Sequence, residues 1–139
     1  MKRIHLIAGL VVVATFLLTG QYLRHCFPSK ESLRELTDGV RLLFRSRHIY
    51  ILCAGLLNLA LGLYFENRTA RWRRAVQFAG SALLLVAPVL LFAAFVVEPA
   101  RSDLDTPLSH FGLYALFGGT MLHAVSGIRG RTTPPDTAA

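Results

Sequence analysis

Four long runs of the sequence contain no Asp, Glu, Lys or Arg, and together they make up more than half of the 139 residues. Each run is close to the roughly 17 to 25 residues that an α-helix needs to cross the hydrocarbon layer of a bilayer. A water-soluble helix of this length would place charged residues on its solvent face. The pattern therefore predicts four transmembrane helices, at residues 4–20, 49–65, 75–97 and 108–128.

The composition fits a membrane protein better than a nucleic-acid-binding protein. Hydrophobic residues make up 53% of the chain, and the mean hydropathy is +0.47. The net charge is +7, but the arginines lie beside the apolar runs, where the positive-inside rule accounts for them. We therefore expect no nucleic-acid partner. The chain is long enough for one all-α integral membrane domain, residues 1–131, followed by a disordered tail at residues 132–139.

The positions of the cations predict the orientation in the membrane. Lys2 and Arg3 precede the first run, Arg129 and Arg131 follow the last, and four arginines lie between the second and third runs. These segments share one side of a four-helix bundle, so the positive-inside rule predicts that both termini are cytoplasmic. The first connection also holds six Lys or Arg residues, which leaves the inverted orientation as an alternative. Without organelle signals, the expected location is a bacterial inner membrane.

The first apolar run also has the charge pattern of a secretory signal peptide, because Lys2 and Arg3 precede it. No small-x-small cleavage site closes this run, and Leu17-Leu18-Thr19-Gly20 is only a weak match to one. We therefore expect the first span to be retained.

The connection between the first and second spans carries its own helical pattern. Ser32 and Glu35 match the S-x-x-E capping box, and apolar residues follow at near-helical spacing. Arginines flank this apolar stripe, as in helices that lie among lipid headgroups. The pattern predicts a short amphipathic interfacial helix at about residues 30–45.

Small and polar residues recur along one face of each predicted span. Such residues permit close helix packing or need hydrogen-bond partners away from lipid, so these faces are expected to form the interior of the bundle. The stripes are His5, Gly9, Val12, Phe16 and Thr19; His48, Gly55, Asn58 and Gly62; Gln77, Ser81 and Pro88; and Ala115, Gly119, His123 and Gly127.

Histidines supply the most specific functional hypothesis. In the predicted orientation, His5 and His123 lie near the cytoplasmic face, and His48 and His110 lie near the opposite face. Paired neutral imidazoles on facing helices can be the axial ligands of a b-type haem. The arrangement is similar in architecture to small di-haem membrane cytochromes. His110 and His123 are thirteen residues apart and lie roughly 140° apart around a helix, so one haem is favoured over two.

Other residues suggest alternative binding sites. Arg45 and Arg47 are candidate contacts for haem propionates or lipid phosphates, and Arg47, His48 and Tyr50 could hold a quinone headgroup. A copper or zinc ion on His25, Cys26 and His48 is a weaker alternative, because no recurring ligand spacing supports it.

Catalysis finds little support in the sequence. The predicted spans contain no carboxylate, which removes the usual intramembrane proton carrier and the acid or base of most hydrolases. Ser109 and His110 are adjacent, but neighbouring residues on a helix point about 100° apart. We therefore predict a noncatalytic accessory, assembly or interaction subunit of a membrane complex, whose partners are the lipid bilayer and another membrane protein or a second copy. The alternative is a haem b electron-transfer module.

Overall fold

The computed structural model describes residues 1–27, 38–66, 70–100 and 105–128, and their regular structure is helical throughout. These described residues form four long helices, and a short 3-10 turn at Glu98–Ala100 follows the third. This confirms the all-α prediction. The helices are α1 (Lys2–Cys26), α2 (Asp38–Tyr64), α3 (Arg71–Val97) and α4 (Pro107–Gly127).

Three of these helices, α1, α2 and α3, are long and apolar enough to cross a membrane. The described part of the chain is therefore that of an integral membrane protein. Helix α4 is not in this set although it has 21 residues, because two histidines and several small polar residues lower its hydropathy. The prediction of four spans is thus confirmed for three helices.

The predicted interfacial helix is not confirmed. Residues 38–45 form the first turns of α2 and continue without a break into the apolar run that begins at Ile49. Residues 41–43 and 45 are good helix formers, and Asp38 in the first turn has a favourable interaction with the helix dipole. Residues 30–37 of the predicted helix and the tail at 132–139 lie outside the described residues.

The helices pack as two hairpins, α1 with α2 and α3 with α4, which join mainly through α2 and α3. Glycines allow the close approach within each hairpin. A Cβ atom added to Gly9 would lie 2.6 Å from the backbone nitrogen of Leu59. A Cβ on Gly80 or Gly119 would lie 2.9 Å from the carbonyl oxygen of the other.

The small and polar stripes face the interior as predicted. In the α4 stripe Ala115 and Gly119 are buried and His123 and Gly127 are half-buried, while Phe16 and His48 are half-buried in α1 and α2. The remaining stripe residues are buried: His5, Gly9, Val12 and Thr19; Gly55, Asn58 and Gly62; and Gln77, Ser81 and Pro88.

Large apolar side chains cover the outside of the molecule. Leu18, Val89 and Phe117 are 66 to 70% exposed, whereas Ile51 and Leu91 are fully buried between the helices. An apolar surface of this kind suits contact with lipid chains, which impose no cost on exposed hydrophobic residues.

Candidate functional site

Polar side chains gather at the two opposite ends of the helices. We call the first group the histidine cluster; it comprises His5, Asn58, Phe65, Ser81 and His123. The second, the ion-pair cluster, comprises Arg47, Glu98 and Ser109. Each cluster joins residues from both hairpins, so both clusters contribute to the packing of the whole molecule.

His5 lies at the centre of the histidine cluster and is fully buried. Its Nδ1 atom is 2.7 Å from Oδ1 of Asn58. The amide nitrogen of Asn58 donates to the carbonyl oxygens of Ala54 and Leu84, both at 2.9 Å. Because these bonds fix the orientation of the amide, Oδ1 is the acceptor and Nδ1 of His5 is the donor.

This hydrogen bond selects one tautomer of neutral His5. With the proton on Nδ1, the Nε2 atom carries a lone pair. No described group forms a hydrogen bond with that buried nitrogen. Buried polar atoms nearly always have a partner, so Nε2 of His5 is an unusual feature with the chemistry of a ligand or a proton acceptor.

The structure brings the predicted pair of His5 and His123 together. Their ring centroids are 6.1 Å apart and their planes are 84° apart. Phe65 lies 5.9 Å from each ring, stacked on His5 and edge-on to His123. Oγ of Ser81 is 3.1 Å from Nε2 of His123, so α3 also contributes to the cluster.

The second predicted pair is not brought together. The ring of His48 stacks on Phe16 with centroids 4.1 Å apart, and its Nδ1 is 3.0 Å from Oγ1 of Thr19. His110 is exposed, and its Nδ1 is 3.3 Å from Oγ1 of Thr106. His48 therefore faces α1 rather than α4, and it joins the two helices of the first hairpin.

The ion-pair cluster is a buried salt bridge. Arg47 and Glu98 are 1% and 0% exposed, and the Nε atom of Arg47 donates to Oε2 of Glu98 over 2.5 Å. Ser109 donates to the same carboxylate from its backbone nitrogen at 2.9 Å and from its hydroxyl at 2.6 Å. The carboxylate therefore accepts a backbone N–H in the first turn of α4, where the helix dipole favours a negative charge.

Glu98 is charged despite its burial. Burial alone would raise the pKa of its carboxyl group, but the hydrogen bonds from Ser109 and the charge and hydrogen bond of Arg47 outweigh this effect. The pKa of Glu98 is consequently lower than its ordinary value of 4.5. Sequence reasoning missed Glu98 because the residue lies between the predicted spans at residues 75–97 and 108–128. The available signal was that Glu98 directly follows the apolar run and precedes Pro99, with no polar spacer.

The other predicted contact residues are distributed differently. Arg47 is held by Glu98, so its guanidinium is not available to a propionate or a quinone, while Arg45 is exposed. His25 and Cys26 are both exposed at the end of α1. Among the described residues there is no group of three or more His, Cys, Asp or Glu side chains, so His25 and Cys26 belong to no such group.

Apolar depressions open between the helices. One, about 660 Å³, is lined by α1, α2 and α3, and its walls include Leu18, Phe44 and Phe92. Another, about 190 Å³, is lined by α2, α3 and α4 and reaches His123. Pockets that hold drug-sized ligands measure roughly 300 to 1,000 Å³, so the depression beside His123 is too small for a haem macrocycle in this conformation.

Most of the polar side chains in the two clusters form contacts that hold the helices together. The ion-pair cluster satisfies its own charges, and the histidine cluster leaves one buried nitrogen without a partner in the described structure. No protein-family model, curated protein or solved structure matches this chain.

Proposed function

We propose that this protein is a noncatalytic, multi-pass subunit of a membrane complex, with all four helices crossing a bacterial inner membrane and both termini in the cytoplasm. It acts by packing against a membrane protein partner or a second copy of itself. Two features support this assignment. The polar clusters hold the helices together, and the helices have a large lipid-facing surface.

The observation that carries the proposal is the closed salt bridge between Arg47 and Glu98. A reactive site keeps charged or nucleophilic groups accessible to its substrate. Here the buried cation and the buried anion neutralise each other, and Ser109 donates to the same carboxylate. The arginine and serine that sequence reasoning considered for ligand binding or catalysis are thus used to fasten α2 and α4 to the end of α3.

Packing supports the fourth span. Helix α4 lies along α3, and the close approach of Gly80 and Gly119 brings their backbones together. Since α3 is apolar enough to cross the bilayer, a helix packed along it has the same depth. Phe111, Tyr114 and Phe117 of α4 are each more than 60% exposed, as lipid-facing side chains are.

Purification in a mild detergent from the native membrane tests this assignment. Light scattering with detergent correction should give a protein mass well above the 15.3 kDa of one chain, either as a multiple of that mass or with a second polypeptide. A homogeneous, folded particle that contains one chain alone contradicts the subunit assignment.

The second candidate function is the haem b module, and the contact between His5 and His123 is the observation in its favour. For haem to bind, Phe65 and Ser81 would have to move away from these rings, because the adjoining depression holds only about 190 Å³. The packing in the described structure therefore favours the noncatalytic assignment.

An absorption spectrum of the purified protein, expressed with haem supplementation, separates the two functions. We expect no Soret band before or after dithionite. A Soret band that His5→Ala and His123→Ala both abolish, and that His25→Ala retains, would establish the haem function instead. His25 is the matched control because its side chain is exposed at the end of α1.

A further inference from the structure

We propose that His5, Ser81 and His123 form a binding site for a single cuprous ion, with one ligand from each of α1, α3 and α4. Nothing in the assignment of a noncatalytic subunit requires this site. It would connect the first hairpin to the second at the end of the molecule opposite the ion-pair cluster.

The first donor is Nε2 of His5. It is fully buried, it carries the lone pair of the neutral imidazole, and no described group hydrogen-bonds to it. The other ring nitrogen donates to Oδ1 of Asn58 at 2.7 Å. Metal-binding histidines have this arrangement, in which a hydrogen bond to the second nitrogen fixes the tautomer and the direction of the ring.

The distance between the two rings suits a shared ion. With about 2.0 to 2.1 Å from each ring nitrogen to the metal, two imidazoles on one ion have centroids about 6 Å apart. The observed separation between the ring centroids of His5 and His123 is 6.1 Å, and the ring planes are 84° apart.

Ser81 supplies an oxygen to the same place. Its Oγ atom lies 3.1 Å from Nε2 of His123. Two ligands that are each about 2.0 to 2.2 Å from one ion are separated by about 2.8 to 3.1 Å when the angle between them at the ion is close to a right angle. An ion on Nε2 of His123 would therefore be within reach of this hydroxyl, which in the described structure forms a hydrogen bond to that nitrogen.

The neutral charge and small number of the ligands favour Cu⁺ over divalent ions. All three ligands are neutral, so a divalent ion would bring two uncompensated charges into the interior of the membrane domain, at a large desolvation cost. Zinc sites have four ligands and commonly include thiolate or carboxylate, whereas Cu⁺ forms stable sites with two or three ligands. Imidazole nitrogen is a suitable ligand for copper.

Anaerobic titration with Cu⁺ against a chromogenic chelator is the direct test. Both thiols are free and exposed and would bind Cu⁺ on their own, so the titration uses the Cys26→Ser, Cys53→Ser protein as its reference. We expect one equivalent of Cu⁺ per chain. His5→Ala and His123→Ala should each abolish retention of the ion, whereas His25→Ala should retain it in full.

Two further measurements do not depend on the folding of the histidine variants. X-ray absorption of the Cu⁺-loaded reference protein should show nitrogen and oxygen neighbours at about 2 Å with imidazole scattering and no sulfur. Asn58→Leu, which removes the hydrogen bond to His5, should weaken Cu⁺ binding about 10- to 100-fold.

Several results would overturn the site. They are failure to retain Cu⁺, equal retention in His5→Ala and His25→Ala, and tighter binding of Zn²⁺ than of Cu⁺. Since Cu⁺ has a filled d shell and adds no visible haem-like band, this test is independent of the absorption spectrum. A loss of the copper site would leave the subunit assignment intact, and a mass of one chain would leave the copper site intact.

Discussion

Arg47 and Glu98 illustrate why a charge can be retained in the interior of a membrane bundle. Isolated charges are very costly there, but a paired arginine and carboxylate with an additional donor form a neutral unit. Ser109 completes the hydrogen bonding of the carboxylate, so the cluster fixes the positions of three helices relative to one another.

Removal of one charge of this buried pair should therefore lower the free energy of unfolding far more than removal of an exposed charge. Glu98→Gln leaves Arg47 buried without its anion and should lower the free energy of unfolding by roughly 3 to 5 kcal/mol. The control is Asp38→Asn, whose partner Arg41 forms a surface ion pair that should be worth about 0 to 1 kcal/mol. Denaturation of both variants in the same detergent measures the difference, and equal losses would contradict the structural role of the buried pair.

The carboxyl group of Glu98 should also make the stability of the protein depend on pH in the acidic range. The pKa of Glu98 is lower in the folded protein than its ordinary value of 4.5, so the folded state binds this proton less readily than the unfolded state. Its contribution to stability is complete above pH 4.5 and is lost as the pH falls through the lowered folded pKa. Melting temperatures of the wild type should decline over this acidic range, and those of Glu98→Gln should decline less. Parallel curves for the two proteins would refute the prediction.

At the level of helices, close packing depends on glycines, which have no side chain. The Cβ atom of a residue at Gly9 would meet the backbone of α2, which cannot move independently of its helix. Contacts of this kind drive helix association in a bilayer, where lipid chains already provide an apolar environment for the rest of the surface.

Substitution of Gly9 should push apart the two helices of the first hairpin, α1 and α2. In Gly9→Ala the new Cβ would be 2.6 Å from the nitrogen of Leu59, so α1 and α2 have to move apart and lose contacts along their length. Gly118→Ala is the matched control, because its Cβ would lie 3.7 Å from Cδ1 of Leu83, an ordinary contact distance. A lower unfolding temperature is expected for Gly9→Ala, with little change for Gly118→Ala. Equal stability of the two variants would show that the hairpin tolerates separation.

Local pattern predicted which helix faces are buried, but it did not predict where α2 begins. The stripe containing Gly55, Asn58 and Gly62 was visible because small and polar residues repeat at the helical period. The first turns of α2 were assigned to a separate helix because arginines interrupt the apolar run there. Arg47 is nevertheless buried within this helix, where it pairs with Glu98, a residue 51 positions further along the chain.

For the whole molecule, the two clusters lie at opposite ends and each joins the two hairpins. The contact between His5 and His123 was anticipated, because both residues lie at the same end of antiparallel helices. The partners of His48 and His110 were not, because the rotation of each helix about its axis determines them. That rotation follows from packing over the whole length of the helices, which a single histidine position does not reveal.

The orientation of the molecule in the membrane can be measured with its own two cysteines. Cys26 ends α1 and Cys53 lies within α2, and both are free and exposed. With a cytoplasmic N-terminus, Cys26 is at the outer face and Cys53 is surrounded by lipid. A charged, membrane-impermeant maleimide should therefore label intact cells that carry the wild type or Cys53→Ser, and should not label cells that carry Cys26→Ser. Labelling of Cys26 only after the membranes are inverted would establish the opposite orientation, which the six cations of the first connection also allow.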